Sequence, residues 1–226
     1  MSRSYSTGSR GGDRVRADRS GPIVRASGGS EERAVVQRVV NQPLAVAERA
    51  IHRASTENVA IYKDGKQIAV SNGSDREVVF TKEEMKLMKG SVLTHNHPQG
   101  TSFSRADLQL IKQRKLEEIR AVANYDDMTY SLKPPKDSLL WKTSVAKLAS
   151  DHEKLRRAVY ENAGYLKEYD AREKACVAWY RKNKEWPSPE QVPDRIPSEV
   201  HRSAVNDSIE ALDIKYKLGY TKTPIQ

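Results

Sequence analysis

Ser91-Val92-Leu93-Thr94-His95-Asn96-His97-Pro98, followed after a short glycine-containing loop by Ser104-Arg105-Ala106-Asp107, decides how the rest of this chain is read. Residues 91–94 have the look of a short strand running into the histidines. Alternate residues of a strand share a face, so His95 and His97 are expected to point the same way. Ser104 suits a helix N-cap, which would aim the first helical turn, and Asp107 with it, back toward the histidines. Two neutral imidazoles and a carboxylate are donors that a catalytic zinc ion uses, with the fourth position left for water. Each part also has a plainer reading: Ser-x-x-Asp is a capping box that requires no metal, and paired histidines suit a polar strand end.

Working outward, residues 33–136 read as one compact α/β unit. Val35, Val36, Val39 and Val40 suit the opening of a strand or helix that Pro43 interrupts. Leu44 to Ala54 is helix-like, with Leu44, Ala47, Ala50 and Ile51 on one face. Residues 58–63 and 67–70 flank Asp64-Gly65, a strong hairpin turn signal. Arg76 to Phe80 suits another strand, and Thr81-Lys82-Glu83-Glu84 a capping box opening a short helix to about Met88. Past the motif, a helix from Arg105 to about Glu117 is expected to turn Leu108, Ile111 and Leu116 inward. Ile119–Ala123 and Met128–Leu132 suit a second hairpin, and Pro134-Pro135 closes the unit.

Residues 137–226 read as a helical C-terminal region. Val145, Leu148, His152, Leu155 and Val159 recur at three- and four-residue spacing and form one apolar stripe. A second helix spans Glu168 to Lys182, and Trp186-Pro187-Ser188-Pro189 breaks it. Ser198 is read as the cap of a last helix carrying Val205, Ile209, Leu212 and Tyr216 on one side, ended by Gly219. His152 and His201 sit in these helices without partners at ligand spacing, so packing or surface roles are expected for both. The single cysteine, Cys176, excludes an intramolecular disulfide and a thiolate cluster, and its apolar neighbours suit a buried thiol.

Composition bounds the remainder. Hydrophobic content is 37%, low against the roughly 45–50% of globular domains, which suits a polar, partly disordered or partner-dependent chain. Residues 1–32 carry Ser, Gly and Arg with almost no apolar residues, cannot offset the entropy of ordering, and read as a disordered basic tail. With a net charge of +9, that tail suits weak nucleic-acid contacts. No run approaches the length of a membrane span and the N-terminus lacks a signal-peptide core, so no membrane partner is expected. A cytoplasmic location follows, in the host cytoplasm or in a virion if the chain is phage-encoded.

His95-x-His97 and Ser104-x-x-Asp107, with strand before and helix after, resemble the signature of the JAB/MPN (JAMM) metallopeptidase family. His95-Asn96-His97-Pro98-Gln99-Gly100 is most similar to the bacterial RadC-type and the phage- or toxin-associated versions. The family signature also has an upstream glutamate near the start of the first strand, and Glu57 in Ser55-Thr56-Glu57-Asn58-Val59 stands in that place, with Glu48 and Glu77 as competitors. The loop Pro98–Phe103 is one residue shorter than the family usually has. The likeness covers about residues 44–133, leaving the tail and the C-terminal helices outside it. It implies a JAB/MPN-like, cytidine-deaminase-like α/β fold, a mixed sheet flanked by helices.

The resemblance also implies a chemistry. His95, His97 and Asp107 would hold Zn2+, which would lower the pKa of a bound water toward about 7. Glu57 would take the water's proton and pass it to the leaving amine. Ser104 would donate a hydrogen bond to the tetrahedral oxyanion. The substrate would be a peptide or isopeptide amide in a peptide or protein, and the C-terminal helices would be free to bind a protein partner. Two other readings stay open. One is a non-catalytic JAB-like module serving in phage structure, assembly or another protein interaction. The other is a metal-dependent nuclease, for which basic charge is the main support.

Overall fold

The computed structural model describes residues 42–73, 78–185, 187 and 191–225. The 1–32 tail, the Val35–Val40 segment and Glu77 lie outside the described residues. Six strands form one mixed sheet in the order β2-β1-β3-β4-β5-β6. These are β1 (Asn58–Lys63), β2 (Lys66–Asn72), β3 (Val92–His97), β4 (Glu118–Ala123), β5 (Met128–Leu132) and β6 (Tyr220–Pro224). Only β3 and β4 run parallel; every other neighbouring pair is antiparallel.

Local rules explain much of this order. Asp64 and Gly65 both take positive φ, at 51° and 74°, the geometry a two-residue type I′ hairpin turn requires between β1 and β2. Helix α2 (Lys82–Leu87) opens on the expected capping box: Thr81 Oγ1 accepts the Glu84 N–H at 3.1 Å, and the Thr81 N–H donates to the Glu84 carboxylate at 2.7 Å. Helix α3 (Arg105–Arg114) makes the crossover that the parallel pair β3/β4 demands. It ends earlier than expected, because Lys115 adopts a left-handed φ of 53°; Leu116 is buried beyond the helix end.

Strand β3 is buried on both faces, as a strand flanked on both sides and covered above and below should be. On one face Val92 joins Ala60 and Tyr62 under helix α1 (Leu44–Ile51). On the other, Leu93 joins Val59, Ile61, Leu108, Ile111 and Ile119 in the main core. Helix α1 stops before the expected Ala54, and Ala50 lies exposed rather than on its buried face. Val78 and Phe80 are fully buried, yet Phe80 makes only an isolated bridge. Of the strand expected over 76–80, residues 76 and 77 lie outside the described residues, and 78–80 form an irregular segment packed into the core.

The C-terminal region comprises α4 (Leu139–Lys142), α5 (Val145–Asn162), α6 (Leu166–Asn183) and α7 (Ser198–Tyr216) before the chain returns to the sheet as β6. Leu140, Leu148, Ile209, Leu212, Tyr216 and Leu218 share the main core with the sheet residues, so the apolar interior runs unbroken across residue 136. Two end signals differ from expectation. Pro197, not Ser198, is the N-cap of α7, and Lys217 in left-handed geometry ends it two residues before Gly219. Gly219 instead admits the chain to the sheet. At φ 63° it lies against the Lys133 carbonyl where β6 begins, and a Cβ there would overlap that oxygen. Cys176 is buried as a free thiol. No helix among the described residues is long and apolar enough to cross a membrane.

Candidate metal centre

The period-two rule places His95 and His97 together at the end of β3, on the face covered by α3. Their Nε2 atoms lie 2.9 Å apart. Ser104 caps α3 and brings Asp107 to them, with Oδ1 3.2 Å from His95 Nε2 and Oδ2 3.5 Å from His97 Nε2. Ligands of a tetrahedral zinc ion, at about 2.0–2.2 Å from the metal, stand roughly 3.3–3.5 Å from one another. One donor atom from each of the three residues lies within 4.8 Å of the other two, close enough for a single ion to be shared. Among the described residues this is the group of His, Cys, Asp and Glu side chains close enough to hold one.

Neighbouring hydrogen bonds orient the donors. The Thr101 carbonyl lies 3.0 Å from His97 Nδ1, with Thr101 Oγ1 at 3.2 Å. A proton on Nδ1 donated to that carbonyl leaves Nε2 with its lone pair toward the centre, the arrangement that supports metal-bound histidines. Asp107 is held similarly. Its Oδ2 accepts from both the Ser104 N–H and the Ser104 hydroxyl at 2.8 Å. Its Oδ1 is buried without a hydrogen-bond partner and faces the histidines. An orphaned buried carboxylate oxygen beside two imidazoles is what a cation would satisfy.

Electrostatics follow from that packing. Burial holds the His95 imidazole below its ordinary range, although Asp107 opposes it. Burial also disfavours charge on His97, but there the Asp107 hydrogen bond and charge outweigh it, with Glu57 adding, and the pKa rises. Burial alone would lift the Asp107 carboxyl; the two histidines overcome it and hold the group far below the usual carboxylate range. Ionised Asp107 and the two imidazoles thus favour positive charge at this place, which suits a cation.

Glu57 reaches the same place by register. Val59 pairs with His95 across the antiparallel β1/β3 ladder, so two residues further out Glu57 falls opposite His97 on the same face. Its carboxylate is buried, and its charge is felt by His97. Glu48 is on the other side of the sheet, where Arg120 Nε donates to it at 2.6 Å and Thr94 Oγ1 at 3.1 Å. Ser104 is present too, although its hydroxyl is engaged by Asp107.

Sequence reasoning passed over Asn96 and Thr101. Asn96 points away from the centre and ties down the segment leading to Glu57. Its Oδ1 accepts the Asn58 N–H at 2.7 Å, and its Nδ2 donates to the Ala54 and Thr56 carbonyls at 3.2 and 3.0 Å. Strand alternation already sets Asn96 opposite in facing to its histidine neighbours, and that was the available signal. Thr101 acts mainly through its backbone, which leaves no mark in the letters. His152 of α5 is fully buried, with both ring nitrogens unpartnered. It belongs to the interior stripe, as its helical spacing predicts. The chain matches no protein-family model, no curated protein and no solved structure.

Proposed function

We propose that the chain is a zinc-dependent metallopeptidase or isopeptidase of the JAB/MPN type. The observation that carries this reading is the convergence of His95, His97 and Asp107 within reach of one ion, with the buried Glu57 near enough for His97 to feel its charge. Zinc, when bound, supplies the Lewis acidity that makes water nucleophilic near neutral pH. Glu57 accepts the proton of the attacking water and returns it to the leaving amine. Ser104 holds Asp107 in place through two hydrogen bonds, and its hydroxyl turns to the developing oxyanion only by leaving Asp107. The mixed sheet with its crossover helix is compatible with a JAB/MPN-like fold. A cytoplasmic setting, and a phage or virion context, belong to the same proposal.

One observation favours a second reading, a non-catalytic JAB-like module acting through protein interactions in a phage assembly. His95, His97, Ser104 and Asp107 are each no more than 1% exposed, which leaves an amide substrate no open approach. Metal analysis separates the outcomes. The purified chain is expected to carry one equivalent of zinc, and His97→Ala to lose it. Zinc with hydrolysis of peptide or isopeptide bonds supports the enzyme; zinc without hydrolysis supports the module. A folded chain that takes up no zinc overturns the enzyme and favours the non-catalytic module.

A further inference from the structure

The loop between His97 and Ser104 is held from outside by the C-terminal helix α7, and one peptide group carries that contact to the metal centre. The Ser102 N–H donates to Asn206 Oδ1 at 3.0 Å. The Thr101 carbonyl, the other half of the same peptide plane, faces His97 Nδ1 at 3.0 Å. In a trans peptide the N–H and C=O point in opposite directions from a rigid plane, and there is no cis peptide bond among the described residues. Fixing one end therefore fixes the other. Hydrogen bonds in series also polarise one another, so an acceptor on the N–H makes the carbonyl a better acceptor for the imidazole.

A second contact joins α7 to the same loop. The Arg202 guanidinium stacks on the Tyr125 ring at 3.7 Å. Tyr125 in turn packs against Gly100, whose φ of 70° and close approach leave no room for a Cβ. Asn206 is itself steadied by a 3.5 Å contact from Nδ2 to the Tyr130 hydroxyl.

We propose that Asn206 is a positioning residue of the metal centre: through the Thr101–Ser102 peptide it sets the tautomer and ring orientation of His97. The C-terminal helix is then a working part of the site and not an appendage to it. This rests on the metal-centre reading above. Zinc affinity depends on residue 206 although that residue is remote in sequence from every ligand.

The test uses the full chain, titrated with zinc against a competing chelator and with cobalt(II) as a spectroscopic substitute. Asn206→Leu, which lacks the acceptor, is expected to lose about 10–100-fold in zinc affinity, the usual effect of removing a group that orients a ligand. It should also shift the cobalt absorption and the proton resonance of His97 Nδ1–H. Asn206→Asp keeps an acceptor oxygen and should restore most of the affinity. Ser203→Ala, whose hydroxyl donates to Asp207 on the exposed side of α7, should change neither. A folded Asn206→Leu with wild-type affinity and an unmoved His97 resonance overturns the proposal. If that variant does not fold, amide exchange in the wild-type chain decides: the Ser102 N–H should be protected, and free exchange there overturns it. Zinc uptake by the wild type with indifference at position 206 sinks only this proposal, whereas no zinc uptake at all sinks the metal centre.

Discussion

Val59 and His95 face each other at the end of the β1/β3 ladder, and that pairing directs the segment just before β1 toward the histidines. Glu57 and His97 each stand two residues beyond that last pair, and the Glu57 charge is felt by His97. If the acid is the general base, Glu57→Gln should keep a full equivalent of zinc while hydrolysis of a peptide or isopeptide substrate falls by about 10²–10⁴-fold. Zinc content and turnover are measured on the same sample. Undiminished turnover removes Glu57 from the mechanism.

Asn96 secures the approach to that register with three backbone hydrogen bonds. Replacing it by alanine removes the acceptor of the Asn58 N–H, whereas Asn58 Nδ2 still serves the Thr56 carbonyl at 2.8 Å and Asn124 the Ala54 carbonyl at 3.1 Å. Asn96→Ala is expected to destabilise the fold by about 1–3 kcal/mol. Urea denaturation monitored by circular dichroism reads this directly; a change below about 0.5 kcal/mol means that water replaces the side chain.

His152 makes stability depend on pH. Burial and then Arg105 push its pKa down from 6.5 to about 3, against a smaller opposing pull from Asp107. The folded chain therefore keeps this ring neutral where the unfolded chain protonates it. The unfolded state binds the extra proton, so stability present above the unfolded value is lost as pH falls through the 6.5-to-3 window. The slope from this one group approaches about 1.4 kcal/mol per pH unit. His152→Leu should flatten the acid limb of a stability-versus-pH curve measured by urea titration; an unchanged limb assigns the acid sensitivity to other groups.

Gly219 lets β6 join the sheet beside Lys133, whose N–H donates to the Gly219 carbonyl at 3.3 Å. Gly219→Ala combines a left-handed backbone with an overlap against a carbonyl that cannot turn aside. A loss of at least about 1–2 kcal/mol is expected, with faster amide exchange along β5 and β6 than in β1. Uniform exchange across the sheet would mean that β6 does not open separately.

Much of the site was legible because its rules are local. Alternation along β3 sets both histidines on one face, and the Ser104 cap fixes where Asp107 stands one helical turn later. The same letters support both the cap and a candidate ligand: Oδ2 serves the cap, and Oδ1 is buried without a hydrogen-bond partner. The Asp64-Gly65 turn was legible for the same reason. Over its described part, 78–80, the strand expected at 76–80 is an irregular segment, because burial of Val78 and Phe80 leaves the same apolar alternation as a strand.

By itself the sequence determined the short-range geometry: which residues turn, cap and alternate, and hence which donors stand together. Only the tertiary structure decided what depends on distant segments. Tyr220–Pro224 is a polar, mostly exposed run that becomes a strand because β5 offers it an edge. Asn206 meets the Ser102 N–H because α7 packs over the loop after His97. Strand pairing and helix docking bring together residues that no local spacing connects, and a backbone partner such as Thr101 leaves no trace in side-chain identity.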